Sequence, residues 1–372
     1  MRVVFHHILR YMPPALNESS MTGPTTEARP LLDWLLQKFP DTARKRAKQW
    51  ILAGRVRVAG RVVRKPHERL NDPRGELELV GDREVRIECD SPWQIHPQVA
   101  LVYMDSSLAI VNKAAGLLSV PAPNNKRSAL GVLGDFLDGR LRASRYAVPP
   151  AFRRLRPLPV HRLDQFTSGL LCIALNPKAR AYLIEQFRAH TITRRYVAFV
   201  EGRLRETRGT WKHWLRLRED GLRQEVSAKR EHKDVVLAVT RYEVVNEYAL
   251  TDPPGPVTKL RLTLETGRKH QIRAQAAFEG APLLGDRLYN SRAHWLGFDR
   301  QALHAESLSI EHPERPGERR TWTAALPVDL EELEATCQRG GKLLPGGRCS
   351  GTPFTQNPGR KQSPKRRSTA KR

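Results

Sequence analysis

The side chains best suited to chemistry lie in the segment HRLDQFTSG, residues 161–169. Asp164 stands two residues after Arg162 and ahead of an apolar run at 170–175, which has the length of a buried strand. A carboxylate at the entrance to such a strand stays ionised when a nearby guanidinium offsets its desolvation. It can then serve as a general base or a nucleophile. On this spacing alone, a structural Asp–Arg pair in a turn is favoured over a catalytic carboxylate.

Histidines offer a second possible chemistry, a metal site. His161, His270 and His304 could meet in space, as zinc ligands do. Their neighbours lack the H-E-x-x-H or paired-cysteine spacing of a metal site, so packing or hydrogen bonding is favoured. The chain also lacks dinucleotide-binding and P-loop patterns, so we predict neither a metal nor a cofactor. Three further histidines are predicted to lie at the surface: His213, His232 and His294.

The elements that must position these residues indicate an α+β domain over residues 97–330. Asn176 and Pro177 mark the start of a helix that runs to about residue 189, and residues 269–279 also have a helical pattern. Apolar alternation predicts several strands, at 195–200, 235–245, 260–266 and 307–311.

A smaller module precedes that domain, over residues 29–88. It contains two helical segments, the second with basic residues on its outer faces, followed by RVRVAGRVV at 55–63, which alternates basic and apolar residues. This order of elements resembles the S4 RNA-binding domain, whereas a generic helical hairpin with solvated charges is the alternative. The resemblance implies that RNA phosphates are bound by a group of basic residues: Arg44, Lys45, Arg46, Arg55 and Arg57.

The segment around Asp164 resembles the signature of RluA-type pseudouridine synthases. Further segments resemble that family in the same order: RRYVAFVEG at 194–202, AVTRY at 238–242, TGRKHQIRAQAAFEGAPLLGDRLYN at 266–290 and LHAESLSIEHP at 303–313. The resemblance covers about 230 residues and implies a mixed, mainly antiparallel sheet. It also implies isomerisation of uridine to pseudouridine in structured RNA, without a cofactor.

By the same resemblance, Asp164 is the essential carboxylate and acts on the ribose or the base, by a route that the sequence leaves open. Tyr196 would stack on the uracil and take part in proton transfer at C5, and Arg273 would pair with Asp164. Arg162 would help to extrude the target base. The full set of implied substrate-binding residues is Arg162, His161, Thr167, Arg268 and Gln271.

Several positions depart from the family pattern. Phe166 replaces a residue that is usually charged or proline, and Val236 stands where the family often has a lysine, for which Lys233 is a possible substitute. Two other functions stay open. One is an RNA-binding or ribosome-assembly factor that has lost activity. The other is a glycoside or N-glycosyl hydrolase, which would need a second carboxylate; the candidates are Glu265, Asp286 and Glu306.

Composition favours an RNA partner. The 372 residues include 64 Lys and Arg against 39 Asp and Glu, a net charge of +25, and such an excess suits a polyanion. No apolar run approaches the roughly 18 residues of a membrane span, and four dispersed cysteines fit a reducing, cytoplasmic setting. We predict a monomer that acts on ribosomal rather than transfer RNA. A flexible arm is expected at 1–28, where Met21 could be the true start, and a disordered basic tail at 338–372.

Overall fold

The computed structural model describes residues 28–341, except 74, 82–85, 126, 142–145, 147, 154, 231–232, 253 and 294–295, and except the side chains of 89 and 90. The chain divides between Leu79 and Val80 into two compact units. Most of the arm predicted at 1–28 and of the tail predicted at 338–372 lies outside the described residues. None of the helices in the described part of the chain is long and apolar enough to span a membrane.

The small unit is built on two short helices and short strand pairs. Helix α1 buries an apolar stripe that includes Leu31, Leu32 and Leu35, while α2 buries only Ala47 and Ile51 and leaves its basic residues in solvent. Its elements are β1 (Arg29–Pro30), α1 (Leu31–Lys38), α2 (Arg44–Leu52), β2 (Val56–Val58), β3 (Arg61–Val62), β4 (Arg69–Leu70) and β5 (Leu77–Leu79).

The large unit is organised around one sheet of twelve strands among the residues described. Its first half contains β6 (Ile87–His96), β7 (Val99–Met104), β8 (Leu108–Lys113), α3 (Ala129–Leu137), β9 (Leu158–Pro159), β10 (Ser168–Ala174) and α4 (Pro177–Arg188). Its second half contains β11 (Thr193–Glu201), β12 (Arg208–Leu217), β13 (Gln224–Ser227), β14 (Val236–Thr251), β15 (Pro254–Leu264), α5 (Gln271–Phe278), β16 (Leu303–Glu311), β17 (Arg319–Thr323) and α6 (Val328–Gln338).

The strand order is β13-β12-β14-β15-β11-β16-β10-β8-β7-β6, with β17 beside β16 and β9 beside β10. Among these pairs, β10 and β16 run parallel and the others antiparallel. The predicted α+β class with a mainly antiparallel sheet is thereby confirmed. The centre of the sheet is covered on both faces, which explains why β10 reads as a continuous apolar run.

Alternation along β10 divides the core in two. Leu171 and Ile173 face one layer, which includes α3 and α5, whereas Leu170 and Cys172 face the other, which includes α4. Strand β11 contributes Tyr196 to the α5 side. Tyr196 therefore stands on a strand that is packed into this core.

The boundaries differ from the sequence expectation in two places. The sequence predicts a small module that reaches residue 88, but Ile87 already begins β6, which pairs with β7 in the large sheet. The domain predicted to end at 330 continues through α6, which buries Leu330 and Leu333. Ile87 belongs to the large unit because it pairs with Met104 of β7, and α6 belongs to it because it packs in a cluster that includes Val197 of β11.

Candidate active site

Asp164 lies in the turn that leads into β10, and three features hold that turn. The Thr167 amide donates to the Asp164 carbonyl at 3.1 Å. Behind it, the buried Lys113 ammonium donates to three carbonyl oxygens, including that of Gln165 at 3.0 Å. Gly169 has φ +114°, and a Cβ there would lie 2.3 Å from the Ala305 carbonyl oxygen, so only glycine permits the close β10–β16 approach.

Arg273 joins Asp164 to a second carboxylate. Its Nη1 donates to Asp164 at 3.1 Å, while its Nε and Nη2 donate to Asp286 at 2.7 and 2.8 Å. Asp286 is fully buried. Burial by itself lowers the pKa of Arg273, but the two carboxylates outweigh it and raise that pKa above its ordinary value. The guanidinium is thus fixed by Asp286 and presents its remaining edge to Asp164.

Tyr196 reaches the same cleft from β11. Its ring is 7% exposed and packs with the α5 side of the core. Burial raises the pKa of the phenol, an effect that the nearby Arg194 guanidinium opposes and Asp164 reinforces. Asp164, Tyr196 and Arg273, which the sequence analysis grouped by resemblance, all line one cleft of about 520 Å³.

Two other predicted residues lie at the mouth of that cleft. Arg162 and Arg268 are exposed, and both line the cavity. The Arg268 Nε donates to the Leu237 carbonyl at 3.2 Å, which holds its side chain along the rim. The mouth is therefore basic, as an RNA backbone requires.

The three remaining predicted substrate contacts face inward. His161 accepts the Cys172 amide through Nε2 at 2.9 Å, and burial lowers its pKa to about 3. Gln271 uses both ends of its amide on buried partners, including the Val239 carbonyl at 3.1 Å and the Thr266 hydroxyl at 2.8 Å. Thr167 is 2% exposed. These side chains hold the walls of the cleft, because their polar atoms point at protein rather than at open space.

The histidines do not converge. His270 places Nε2 3.9 Å from Asp164, His304 bonds Ser168 at 2.9 Å, and His161 is held by the backbone. No group that could hold a metal ion occurs among the residues described. The prediction that His213 lies at the surface is wrong: it is 6% exposed and pairs with Glu279 at 2.9 Å. His232 and His294 fall outside the described residues.

The carboxylates considered as hydrolase partners are engaged elsewhere. Asp286 is bound to Arg273, Glu265 pairs with Arg241, and Glu306 faces Arg261 at 3.9 Å. Among the residues that the structure describes, Asp164 is the one carboxylate lining the cleft. A two-carboxylate hydrolytic site is therefore disfavoured.

Sequence reasoning misses three parts of this site. The sequence analysis marks Asp286 only as a candidate hydrolase carboxylate, does not single out Lys113, and does not distinguish Arg194 from the many other arginines. Burial lowers the pKa of Lys113 to about 7. A basic residue two positions before Tyr196 could have signalled Arg194, since alternation puts both on one face of a strand. Lys233 is exposed and does not line the cleft.

The basic residues of the small unit differ in their contacts: some stack on an aromatic ring, one is ion-paired and others are exposed. Arg46 and Arg55 lie over the Trp50 ring, with the guanidinium carbon 5.5 and 5.7 Å from its centroid. Lys45 is exposed, Arg57 lies on β2, and Arg44 pairs with Asp33 at 3.2 Å. Lys45 and Arg46 therefore stand exposed on the surface of this unit.

Comparison with known proteins places two family models on the chain: RNA pseudouridylate synthase over residues 107–278 and S4 domain over residues 29–73. A ribosomal large subunit pseudouridine synthase D of Yersinia pestis is 36% identical over 318 residues, 80% of this chain and 88% of that protein. The protein of that name from Haemophilus influenzae is 31% identical over 86% of this chain and 94% of its own length. A solved human structure, RNA pseudouridylate synthase domain containing 1, is 24% identical with a TM-score of 0.48, covering 65% of this chain and 87% of that one.

Proposed function

Since this chain belongs to the RNA pseudouridylate synthase family, we propose that it converts a uridine of large-subunit ribosomal RNA into pseudouridine, with Asp164 as the essential carboxylate. The chain is accordingly an isomerase that acts on RNA, as the sequence analysis predicted. The observation that carries the residue assignment is the Asp164 carboxylate, 3.1 Å from Arg273 in a cleft that Tyr196 also lines.

Arg162, Asp164 and Arg273 have separate roles in the proposed isomerisation. The target uridine must leave its stack and enter the cleft, at a cost of about a few kcal/mol. Arg162, exposed at the mouth, enters the space that the base vacates. Asp164 acts on the ribose while the N1–C1′ bond breaks and the base turns to offer C5. Arg273, fixed by Asp286, keeps the carboxylate oriented throughout.

Ribosomal RNA is the favoured substrate for three reasons. The curated relatives are named for the large ribosomal subunit, an S4 domain precedes the catalytic unit, and the net charge of +25 suits a large folded RNA. Asp164, Tyr196 and Arg273 meet within a single chain, so this group needs no residue from a second copy. We further propose that the protein acts as a monomer, in the cytoplasm where ribosomes are assembled. An inactive assembly factor is disfavoured, since such a protein has no need to keep Asp164, Tyr196 and Arg273 together.

Substitution of the carboxylate tests this assignment. Asp164→Asn should abolish pseudouridine formation and leave RNA affinity within about threefold, because the carboxylate acts in the chemical step. The matched control is Asp135→Asn, an exposed aspartate that pairs with Arg140 on the surface. Activity is measured as pseudouridine formed in ribosomal RNA from cells that lack the gene, with thermal unfolding as the check on folding. Substantial pseudouridine formation by folded Asp164→Asn would overturn the assignment.

A further inference from the structure

Arg194 is a buried cation that has no role in the reaction proposed above. It is 9% exposed, lies on β11 and lines the same cleft as Asp164. One nitrogen, Nη2, donates to the Thr266 carbonyl at 3.1 Å, whereas the buried Nε has no hydrogen-bond partner. No carboxylate in the described part of the chain lies within ion-pair distance of it.

Two other buried arginines, by contrast, are paired with carboxylates. Arg273 binds two aspartates, and Arg300, 4% exposed, binds Asp329 through two nitrogens at 2.6 and 2.9 Å. Burying an unpaired charge is unfavourable, and proteins ordinarily pair such a group. Arg194 differs from these two arginines because no carboxylate among the described residues pairs with it, and its buried Nε is unsatisfied.

The groups that lie against the Arg194 guanidinium are largely apolar. The guanidinium carbon lies 5.5 Å from the Phe187 ring centroid, and a Cβ on Gly267 would come within 2.5 Å of Nη1. The Phe187 ring and the Gly267 backbone thus lie against the guanidinium. Electrostatic interactions of a largely buried charge are stronger than those of a charge in solvent. Burial lowers the pKa of this guanidinium, and its charge adds to the burial that lowers the pKa of His161.

The position of Arg194 indicates which anion it meets. Arg194 and Tyr196 are two residues apart on β11 and face the same side, about 7 Å apart along the strand. The cations suited to phosphates are instead the exposed ones at the mouth: Arg162, Arg188, Arg268 and Lys269. Arg194 lies deeper, at the level where Tyr196 would meet the base.

We propose that Arg194 is a catalytic residue that stabilises the negative charge on the uracil ring when the ring separates from the sugar. This inference rests on the proposed function. When the N1–C1′ bond breaks, its electron pair leaves with the base and spreads onto the O2 and O4 oxygens. C5 then bonds to C1′, the proton on C5 is lost and N1 gains a proton, so the composition of the nucleotide is unchanged. A preorganised donor aimed at developing charge lowers the barrier to the step that creates it.

The test compares three variants with a matched control. Arg194→Met removes the charge, Arg194→Lys keeps a charge without the planar fork, and Gly267→Ala should displace the guanidinium without changing its chemistry. The control is Arg195→Met, which makes the same charge change on the exposed, opposite side of β11. For each protein we would measure single-turnover pseudouridine formation at saturating enzyme, RNA affinity at several salt concentrations, and thermal unfolding.

Arg194→Met should slow the saturated rate about 10²–10³-fold, the usual effect of removing one such donor. RNA affinity and its salt dependence should stay near wild type, and the melting temperature should not fall, because an uncompensated buried charge has been removed. Arg194→Lys and Gly267→Ala should lie between Arg194→Met and wild type, and Arg195→Met should match wild type. If Arg194→Met fails to fold, the rates of Arg194→Lys and Gly267→Ala test the catalytic role of Arg194 instead.

Three results would overturn the inference. A saturated rate within about threefold of wild type for all three variants would leave Arg194 without a catalytic role. Weaker binding with a salt slope flatter by about 0.7–0.9 and an intact rate would identify a phosphate contact instead. A lower melting temperature, with loss of activity confined to the unstable protein, would identify a structural residue. Failure of the wild-type enzyme itself to form pseudouridine would instead count against the proposed function.

Discussion

At the scale of single residues, Tyr196 combines an apolar setting with a free hydroxyl. The ring is packed among core residues of the large unit, yet its hydroxyl forms no hydrogen bond within the described part of the chain. A tyrosine that served only to pack would ordinarily satisfy its O–H when buried. The hydroxyl is therefore available to a ligand in the cleft, beside Asp164.

Tyr196→Phe should accordingly cost far more in turnover than in binding. The phenyl ring keeps the stacking surface, worth about 1–3 kcal/mol per base, so RNA affinity should change little. Loss of the hydroxyl should slow turnover about 10²–10⁴-fold if it takes part in proton transfer. Tritium release from 5-tritiated uridine in RNA, at saturating enzyme, measures this step directly.

Tyr182→Phe provides the matched control for that experiment. Tyr182 lies on α4 and donates its hydroxyl to Glu311 at 2.6 Å, a hydrogen bond remote from the chemistry. Its substitution should leave tritium release near wild type. A rate loss below about tenfold in Tyr196→Phe would remove Tyr196 from the catalytic group and leave Asp164 and Arg273.

At the scale of elements, two buried glutamines fix α5 against the sheet. Gln271 donates to the Thr240 hydroxyl at 2.9 Å, and that hydroxyl donates to Gln275 at 2.6 Å. Gln275 also donates to the Ala238 carbonyl at 3.1 Å. Both glutamines stand one turn apart on α5, on either side of Arg273 in sequence. A hydrogen-bond network in which each polar group has a partner fixes the position of α5. It therefore also fixes the position of the Arg273 guanidinium.

Two neutral histidines tie strands around the Asp164 turn, and they make folding sensitive to acid. Burial lowers the pKa of His161 to about 3 and that of His304 to about 4, from 6.5. Since both values lie below that of an unfolded histidine, the unfolded chain binds more protons between about pH 6.5 and 4. The free energy of unfolding should therefore be highest above pH 6.5 and fall as the pH drops through this interval.

Urea unfolding at pH 7.5, 6.0 and 5.0 checks this expectation. The double variant His161→Gln, His304→Gln should show a flatter pH profile, although its stability at pH 7.5 should be lower because it loses the bonds to Cys172 and Ser168. An unfolding free energy that is constant between pH 7.5 and 5.0 in the wild-type protein would contradict it.

At the scale of the whole molecule, charge is spread over both units, and we predict that basic side chains of the small unit bind phosphates. Replacing Arg46, Arg55 and Arg57 by glutamine in the full chain should weaken RNA binding and flatten its salt dependence. For every phosphate that is no longer neutralised, the log–log salt slope should decrease by about 0.9 on a duplex. The saturated rate should change little, because none of these residues lines the cleft.

The charge-preserving substitution of the same three residues by lysine is the control. It keeps the counterion release and should keep the salt slope, although it removes part of the stacking of Arg46 and Arg55 on Trp50. If the glutamine variant keeps the wild-type salt slope, the small unit binds something other than RNA.

The family and the α+β class can be read from the sequence, because both are encoded in local motifs and periodicity. The same motifs predict the catalytic group of Asp164, Tyr196 and Arg273. The segment at 161–169 places Asp164 at the entrance to a buried strand, and the segment RRYVAFVEG at 194–202 identifies Tyr196 by its resemblance to the family. Charge excess and the helical pattern of the small unit predicted an RNA partner. Such signals depend on neighbouring residues alone, so they can be read without coordinates.

The contacts between these side chains, by contrast, follow from the three-dimensional packing of the chain. Arg273 bonds Asp164 across 109 residues and Asp286 across 13, and no spacing rule shows that the second carboxylate is buried and already paired. The inward roles of His161 and Gln271 and the unpaired state of Arg194 depend likewise on what packs against them. Periodicity shows which face of a strand or helix is buried. Hydrogen-bond partners and ion pairs follow from contacts between distant segments, which folding alone brings together.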